Sequence, residues 1–137
     1  MTQVNQTNNG AAQTRRFAYD GLSRLIFAAN PEQNTSTDSL FTYNSQQWAM
    51  KYDYDAASNL TAKTDTRKDA ANQFVKGEYS YDALNRHTLR HYVAGAPYAT
   101  PDVAYQYDPA VTNGKGRLGS VTASGVSTYT MTETAGE

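Results

Sequence analysis

Aromatic and polar residues alternate in short runs along this chain. Phe17-Ala-Tyr19, Tyr52-Asp-Tyr54, Tyr79-Ser-Tyr81 and Tyr105-Gln-Tyr107 each set two rings at i and i+2. On a strand those positions share a face, and aromatic side chains favour that pleated surface. An aspartate follows each run at once: Asp20, Asp55, Asp82 and Asp108. Its carboxylate can accept backbone N–H bonds in an Asx-type turn, which ends the strand. Small residues come next, with Gly, Ser or Asn where a left-handed backbone is useful. Arg24, Asn59, Arg86 and Arg117 then open a return segment, Arg24-Leu25-Ile26-Phe27 being the first. Each unit therefore predicts a strand–turn–strand hairpin.

Four copies stand out, and the second tyrosines fall at 19, 54, 81 and 107. Phe41-Thr-Tyr43-Asn44 reads as a degraded copy, with Trp48 where Arg or Asn is expected. The loose period is that of array and solenoid repeats. The expected fold is all-β, a stack of antiparallel hairpins in which tyrosines of successive copies lie side by side. Residues 1–14, rich in Gln, Asn and Thr, read as a flexible arm or linker that forms a strand only if something pairs with it. The repeat region spans 15–128, and 129–137 is an eroded repeat or tail. Polar connectors are expected at Asn30–Ser39, Asp65–Gln73 and Gly95–Pro101, with no more than a short helical turn over Thr66–Gln73. Pro31, Pro97, Pro101 and Pro109 sit in connectors or a turn, where a missing donor does least harm to a ladder.

Composition sharpens this picture at two points. Leu, Ile, Val and Phe together number only 19 of 137 residues, while tyrosine alone supplies 11. The core must then be thin and aromatic, with rings buried and hydroxyls bonded or wet. A net charge of -1 gives no reason to expect nucleic acid or an anionic membrane as partner. No apolar run is long enough for a spanning helix, so no membrane insertion is expected. The absence of cysteine excludes disulfides and thiolate chemistry.

Candidate chemistry is sparse. The four aspartates recur at one place in each unit, where turn formation explains them all; an acid/base pair needs two special carboxylates. His87 and His91 share a strand face at this spacing but lie roughly 13 Å apart, too far for one metal. Asn113-Gly-Lys-Gly116 lacks the ending of a phosphate loop and reads as a long hairpin turn. No nucleophile elbow is present, so no catalytic residue, metal or cofactor is assigned. Asn5, Asn34 and Asn59 open N-glycosylation sequons of the kind chance supplies in a Thr-rich chain. Trp48, off the repeat pattern, is the candidate for a surface contact.

Taken together, these units resemble the RHS or YD-repeat family, whose pattern is approximately Tyr-x-Tyr-Asp-x-x-Gly-Arg-Leu. The residues that define the repeat are Phe17, Tyr19, Asp20 and Arg24; Tyr43; Tyr52, Tyr54 and Asp55; Tyr79, Tyr81, Asp82 and Arg86; and Tyr105, Tyr107, Asp108 and Arg117. The likeness runs from about Arg16 to Val126. In that family long arrays wind into a spiral sheet that closes as a hollow shell. Bacterial members enclose a toxic domain, and teneurins use a similar shell in adhesion. The resemblance implies a structural segment of a secreted or cell-surface protein, bacterial in origin, and not an enzyme. Its partners would be neighbouring repeats, other copies, an enclosed toxin domain or a surface glycan. The alternative is an adhesive or self-assembling module that associates through open sheet edges and exposed aromatics. Where the family has glycine, this chain has Ser23, Ser58 and Asn85, so those turns are expected to be built differently.

Overall fold

The computed structural model describes residues 2–8, 11–30, 40–110, 113–123 and 129–130. Residues 31–39 of the expected connector Asn30–Ser39, with Pro31 and Asn34, and residues 131–137 of the expected tail 129–137 lie outside the described residues. The described elements are strands: β1 (Thr2–Asn8), β2 (Ala11–Tyr19), β3 (Leu25–Ala29), β4 (Phe41–Tyr43), β5 (Gln46–Trp48) and β6 (Met50–Tyr54). They continue with β7 (Leu60–Lys68), β8 (Phe74–Tyr81), β9 (His87–Val93), β10 (Val103–Tyr107), β11 (Leu118–Ala123) and β12 (Tyr129–Thr130). No helix among the described residues is long and apolar enough to cross a membrane.

Ten of these strands form one sheet in the order β1-β2-β3-β6-β7-β8-β9-β10-β11-β12, and β4 and β5 pair separately. Apart from that inserted hairpin, spatial order is chain order, and the neighbouring strands run antiparallel. The four aspartate turns join β2 to β3, β6 to β7, β8 to β9 and β10 to β11. Strand direction alternates, so all four turns lie along one end of the sheet and the connectors along the other. This turn-bearing end is where the repeated residues collect.

Each aspartate hairpin also carries a bulge at the same place. The register slips between Ala18 and Tyr19, Asp53 and Tyr54, Ser80 and Tyr81, and Gln106 and Tyr107. One extra residue on the return strand (Ile26, Thr61, Thr88 or Gly119) is left without a partner, and the strand bends there.

Among the described residues the buried apolar ones are Ala18, Ala28, Trp48, Ala49, Met50 and Ala62, so the core there is as thin as the composition implies. Its largest member is Trp48, only 1% exposed, which corrects the expectation that it is a surface contact. The reason is the β4–β5 hairpin, closed by Asn44 and Ser45 at φ 49° and 58°, as a two-residue hairpin turn requires. It packs two of its aromatic residues on Phe27 of β3: Tyr43 stacks on that ring at 4.8 Å and Trp48 lies at 5.9 Å. Trp48 Nε1 donates to the Tyr43 carbonyl, and Arg16 lies over the indole. The degraded copy at Phe41–Asn44 is thus not a fifth unit of the main sheet but a flap that supplies core.

Two further expectations are corrected. Within 1–14 the chain is not a free arm: β1 pairs with β2 from Thr2↔Phe17 to Asn8↔Ala11, because the exposed ladder of β2 provides the partner. Over Thr66–Gln73 there is no helical turn; β7 runs to Lys68 and residues 69–73 form a hairpin turn.

Candidate functional site: the turn edge between copies

The turn starts from its aspartate. In the first copy the Asp20 N–H donates to the Arg24 carbonyl, and Ser23 N–H donates to the Asp20 carbonyl. The Asp20 carboxylate then accepts from the N–H groups of Leu22 and Arg24, both at 2.9 Å. The backbone bonds recur at Asp55 and Asp82, and Asp82 repeats the carboxylate bonds to Leu84 and Arg86. The fourth residue of each turn must be left-handed: Ser23, Ser58 and Asn85 have φ of 62°, 68° and 58°. These turns thus hold L-residues in a conformation that glycine adopts freely, at a cost of about 1 kcal/mol each.

The same device occurs where no tyrosine announces it. Asp69 accepts from the N–H groups of Ala71 and Gln73, and Asn72 takes φ 63°. The signal was the spacing Asp69-Ala-Ala-Asn72, which matches Asp55-Ala-Ala-Ser58. In the fourth copy the longer loop is closed by Gly116 N–H donating to Asp108 Oδ1 at 2.6 Å.

The copies are joined by their arginines and tyrosines. Arg24 Nε donates to its own Asp20 at 2.7 Å while Nη1 reaches the Asp55 carbonyl of the next turn at 3.0 Å. Arg86 repeats this, donating to Asp82 at 2.7 Å and, through Nη1 and Nη2, to both oxygens of Asp108 at 3.1 and 2.8 Å. Asn59 replaces arginine between the second and third copies, bonding Asp55 behind it and Asn85 ahead. Each guanidinium also lies over the second tyrosine of the next copy: Arg24 over Tyr54 at 4.9 Å, Arg86 over Tyr107 at 4.5 Å.

The same tyrosines bond backwards. Tyr54, Tyr81 and Tyr107 donate from their hydroxyls to the carbonyls of Leu25, Leu60 and His87, at 2.8, 3.0 and 3.0 Å. Those carbonyls sit at the foot of the bulged return strands. Burial pushes the Tyr54 and Tyr81 hydroxyls upward in pKa, which keeps them donors. Tyr19, with no earlier described copy against it, is 44% exposed.

Contrary to the hairpin reading, no tyrosine rings of successive copies stack directly on one another among the described residues, because a return strand separates them. Where rings do bridge copies, His87 is the intermediary: it contacts Tyr79 and Tyr81 of its own hairpin and Tyr105 of the next, at 5.7, 5.5 and 4.9 Å. His87 stands where the other copies have Leu25, Leu60 and Leu118, and its buried Nε2 has no hydrogen-bond partner. His91, by contrast, pairs with Glu78 and bonds Asp102 at 2.7 Å. The bulge at Thr88 turns the two histidines to opposite faces, correcting the prediction that they share one.

The carboxylates of this edge are engaged from several directions. Arg86 and the Gly116 N–H hold Asp108 down to a pKa of about 2. Backbone N–H groups of Arg24 and Arg86, and their side chains, lower Asp20 and Asp82. The Asn59 amide does the same first for Asp55, and Arg86 is held protonated by Asp108 and Asp82. Asn59, which opens the third sequon, spends its amide in these bonds. No protein-family model matches the chain, and no curated protein matches it.

Proposed function

We propose that this chain is wall: a structural β-repeat segment of an RHS- or YD-type shell or cell-surface protein, serving encapsulation or scaffolding. The observation that carries the reading is the recurrence of one junction three times. A tyrosine hydroxyl bonds back to the preceding copy, and an arginine or asparagine reaches forward to the next turn. A junction repeated at every step marks an array whose work is to extend, and carboxylates tied into turns at each copy have no acid/base task that distinguishes one from another. The expected partners are neighbouring repeats and, in a closed array, an enclosed domain; the expected setting is secreted or at the bacterial surface.

Tandem fusion tests it. Two copies of this chain joined end to end should unfold at a higher urea midpoint than one, because each added unit brings a nearest-neighbour interface. A single chain that is a folded monomer, with a midpoint unchanged by fusion, would point instead to an autonomous binding domain.

A second reading follows from the open sheet, in which β1 and β12 stand at the ends of the strand order. End strands are templates for another chain. Light scattering that shows a large, regular, β-rich assembly of the single chain would favour this self-assembling module.

A further inference from the structure

One face of the sheet carries a cleft of about 410 Å³ between the strands β7 to β9 and the loop that follows β9. On its floor the missing side chain of Gly77 makes room for Tyr79, which folds over that glycine with its hydroxyl 3.2 Å from where a Cβ would stand. Lys63 and Tyr92 flank Gly77 on the neighbouring strands, and Arg90 pairs with Tyr79. The far wall is held in place from outside. Gly95 N–H donates to Asp69, Ala70 N–H to the Ala96 carbonyl, and Tyr98 N–H to the Gly95 carbonyl.

The charges in this cleft do not cancel. Asp65 is engaged by Arg67, which in turn lies over the Tyr98 ring at 5.0 Å. Lys63 and Arg90 are exposed and have no carboxylate partner among the described residues. Arg90 is nevertheless fixed: its guanidinium lies over Tyr92 at 4.8 Å and faces Tyr79 at 5.8 Å. Stacking uses the face of a guanidinium and leaves its N–H edge free to donate. Strand spacing and rise put the Lys63 and Arg90 backbones roughly 12 Å apart, within the combined reach of two long side chains.

We propose that this cleft binds the carboxylate of a sugar acid. Two uncompensated cations supply the charge, and a stacked arginine presents paired donors that match a carboxylate. The volume suits one or two sugar rings, and tyrosines with Thr100 give a lining suited to hydroxyls. This site is independent of the turn-edge junctions.

The test is calorimetric titration of the folded full chain with a glucuronate-containing disaccharide, its neutral glucose counterpart and inorganic phosphate. Saturable binding of the glucuronate compound alone, weakened about tenfold in Lys63→Gln and again in Arg90→Gln, is the expected result. Lys115→Gln, on the turn edge, should bind like the parent. Equal affinity for the neutral sugar, phosphate binding as tight as glucuronate, or binding unchanged in both variants would each overturn the proposal. Circular dichroism of the exposed Lys63→Gln variant separates lost binding from lost fold.

Discussion

The hydroxyl of Tyr81 donates to the carbonyl of Leu60, 3.0 Å away and 21 residues earlier in the chain. That bond joins one copy to the one before it, and its equivalents at Tyr54 and Tyr107 do the same. Removing only the hydroxyl should therefore weaken a junction and spare the hairpin. Tyr54→Phe, Tyr81→Phe and Tyr107→Phe are each expected to cost about 1 kcal/mol. Tyr19→Phe, at an exposed position without a described acceptor, should cost close to nothing. Urea midpoints of the four variants check the contrast.

Ser23 holds φ 62° and makes no described side-chain bond, so Ser23→Gly should relieve strain without losing a contact. A gain of about 0.5–1 kcal/mol is expected. Ser58→Gly should gain less, since the Ser58 hydroxyl accepts from Arg24 at 3.3 Å. Thermal melts of the pair measure the difference, which is the worth of that contact.

His87→Leu should stabilise the protein by about 1 kcal/mol, because it removes a buried nitrogen without a partner and installs the residue of the other copies. His87→Ala should do the opposite by leaving a hole among Tyr79, Tyr81 and Tyr105. Urea unfolding at neutral pH distinguishes them.

Acid should loosen the aspartate ties at both ends of the sheet. Asp20, Asp55, Asp69, Asp82, Asp102 and Asp108 all sit below their ordinary value. A depressed carboxylate contributes stability that is complete above its unfolded pKa, near 3.9, and is lost as pH falls through the folded one. The urea midpoint is then expected to be steady from neutrality to about pH 5 and to fall steeply from about pH 4 towards 2. Asp108→Asn should flatten the lowest part of that fall, where Asp108 itself titrates at about 2.

Trp48→Ala should cost about 3–5 kcal/mol by removing the centre of the flap's packing on Phe27. Native fluorescence should be that of a water-shielded indole, shifting to the red on unfolding. An emission maximum already typical of exposed tryptophan would contradict the burial.

Much of this could be read from the residues because the information is local. Tyr-x-Tyr sets a strand face, Asp20 and its equivalents set a turn, and both are fixed within five residues. What escaped was set by distant partners or by one added residue. β1 exists because β2 offers it a ladder; Trp48 is buried because a flap brings it to Phe27. The bulge at Thr88, which no two-residue period reveals, decided which faces His87 and His91 occupy. The Asp69 turn was legible from its Asp-x-x-Asn spacing, which the expectation of a polar connector with a short helical turn over Thr66–Gln73 passed over. The junctions themselves needed geometry, since no pattern within one copy shows where Arg24 or Tyr54 will reach in another.

Because the main sheet lays its strands down in chain order, length is a free variable of this architecture. A unit gained or lost by unequal recombination would leave every remaining hairpin with its own turn and every remaining junction with both halves. Arrays of this kind can grow by duplication without any contact having to be reinvented, and a ribosome can deliver them one finished hairpin at a time.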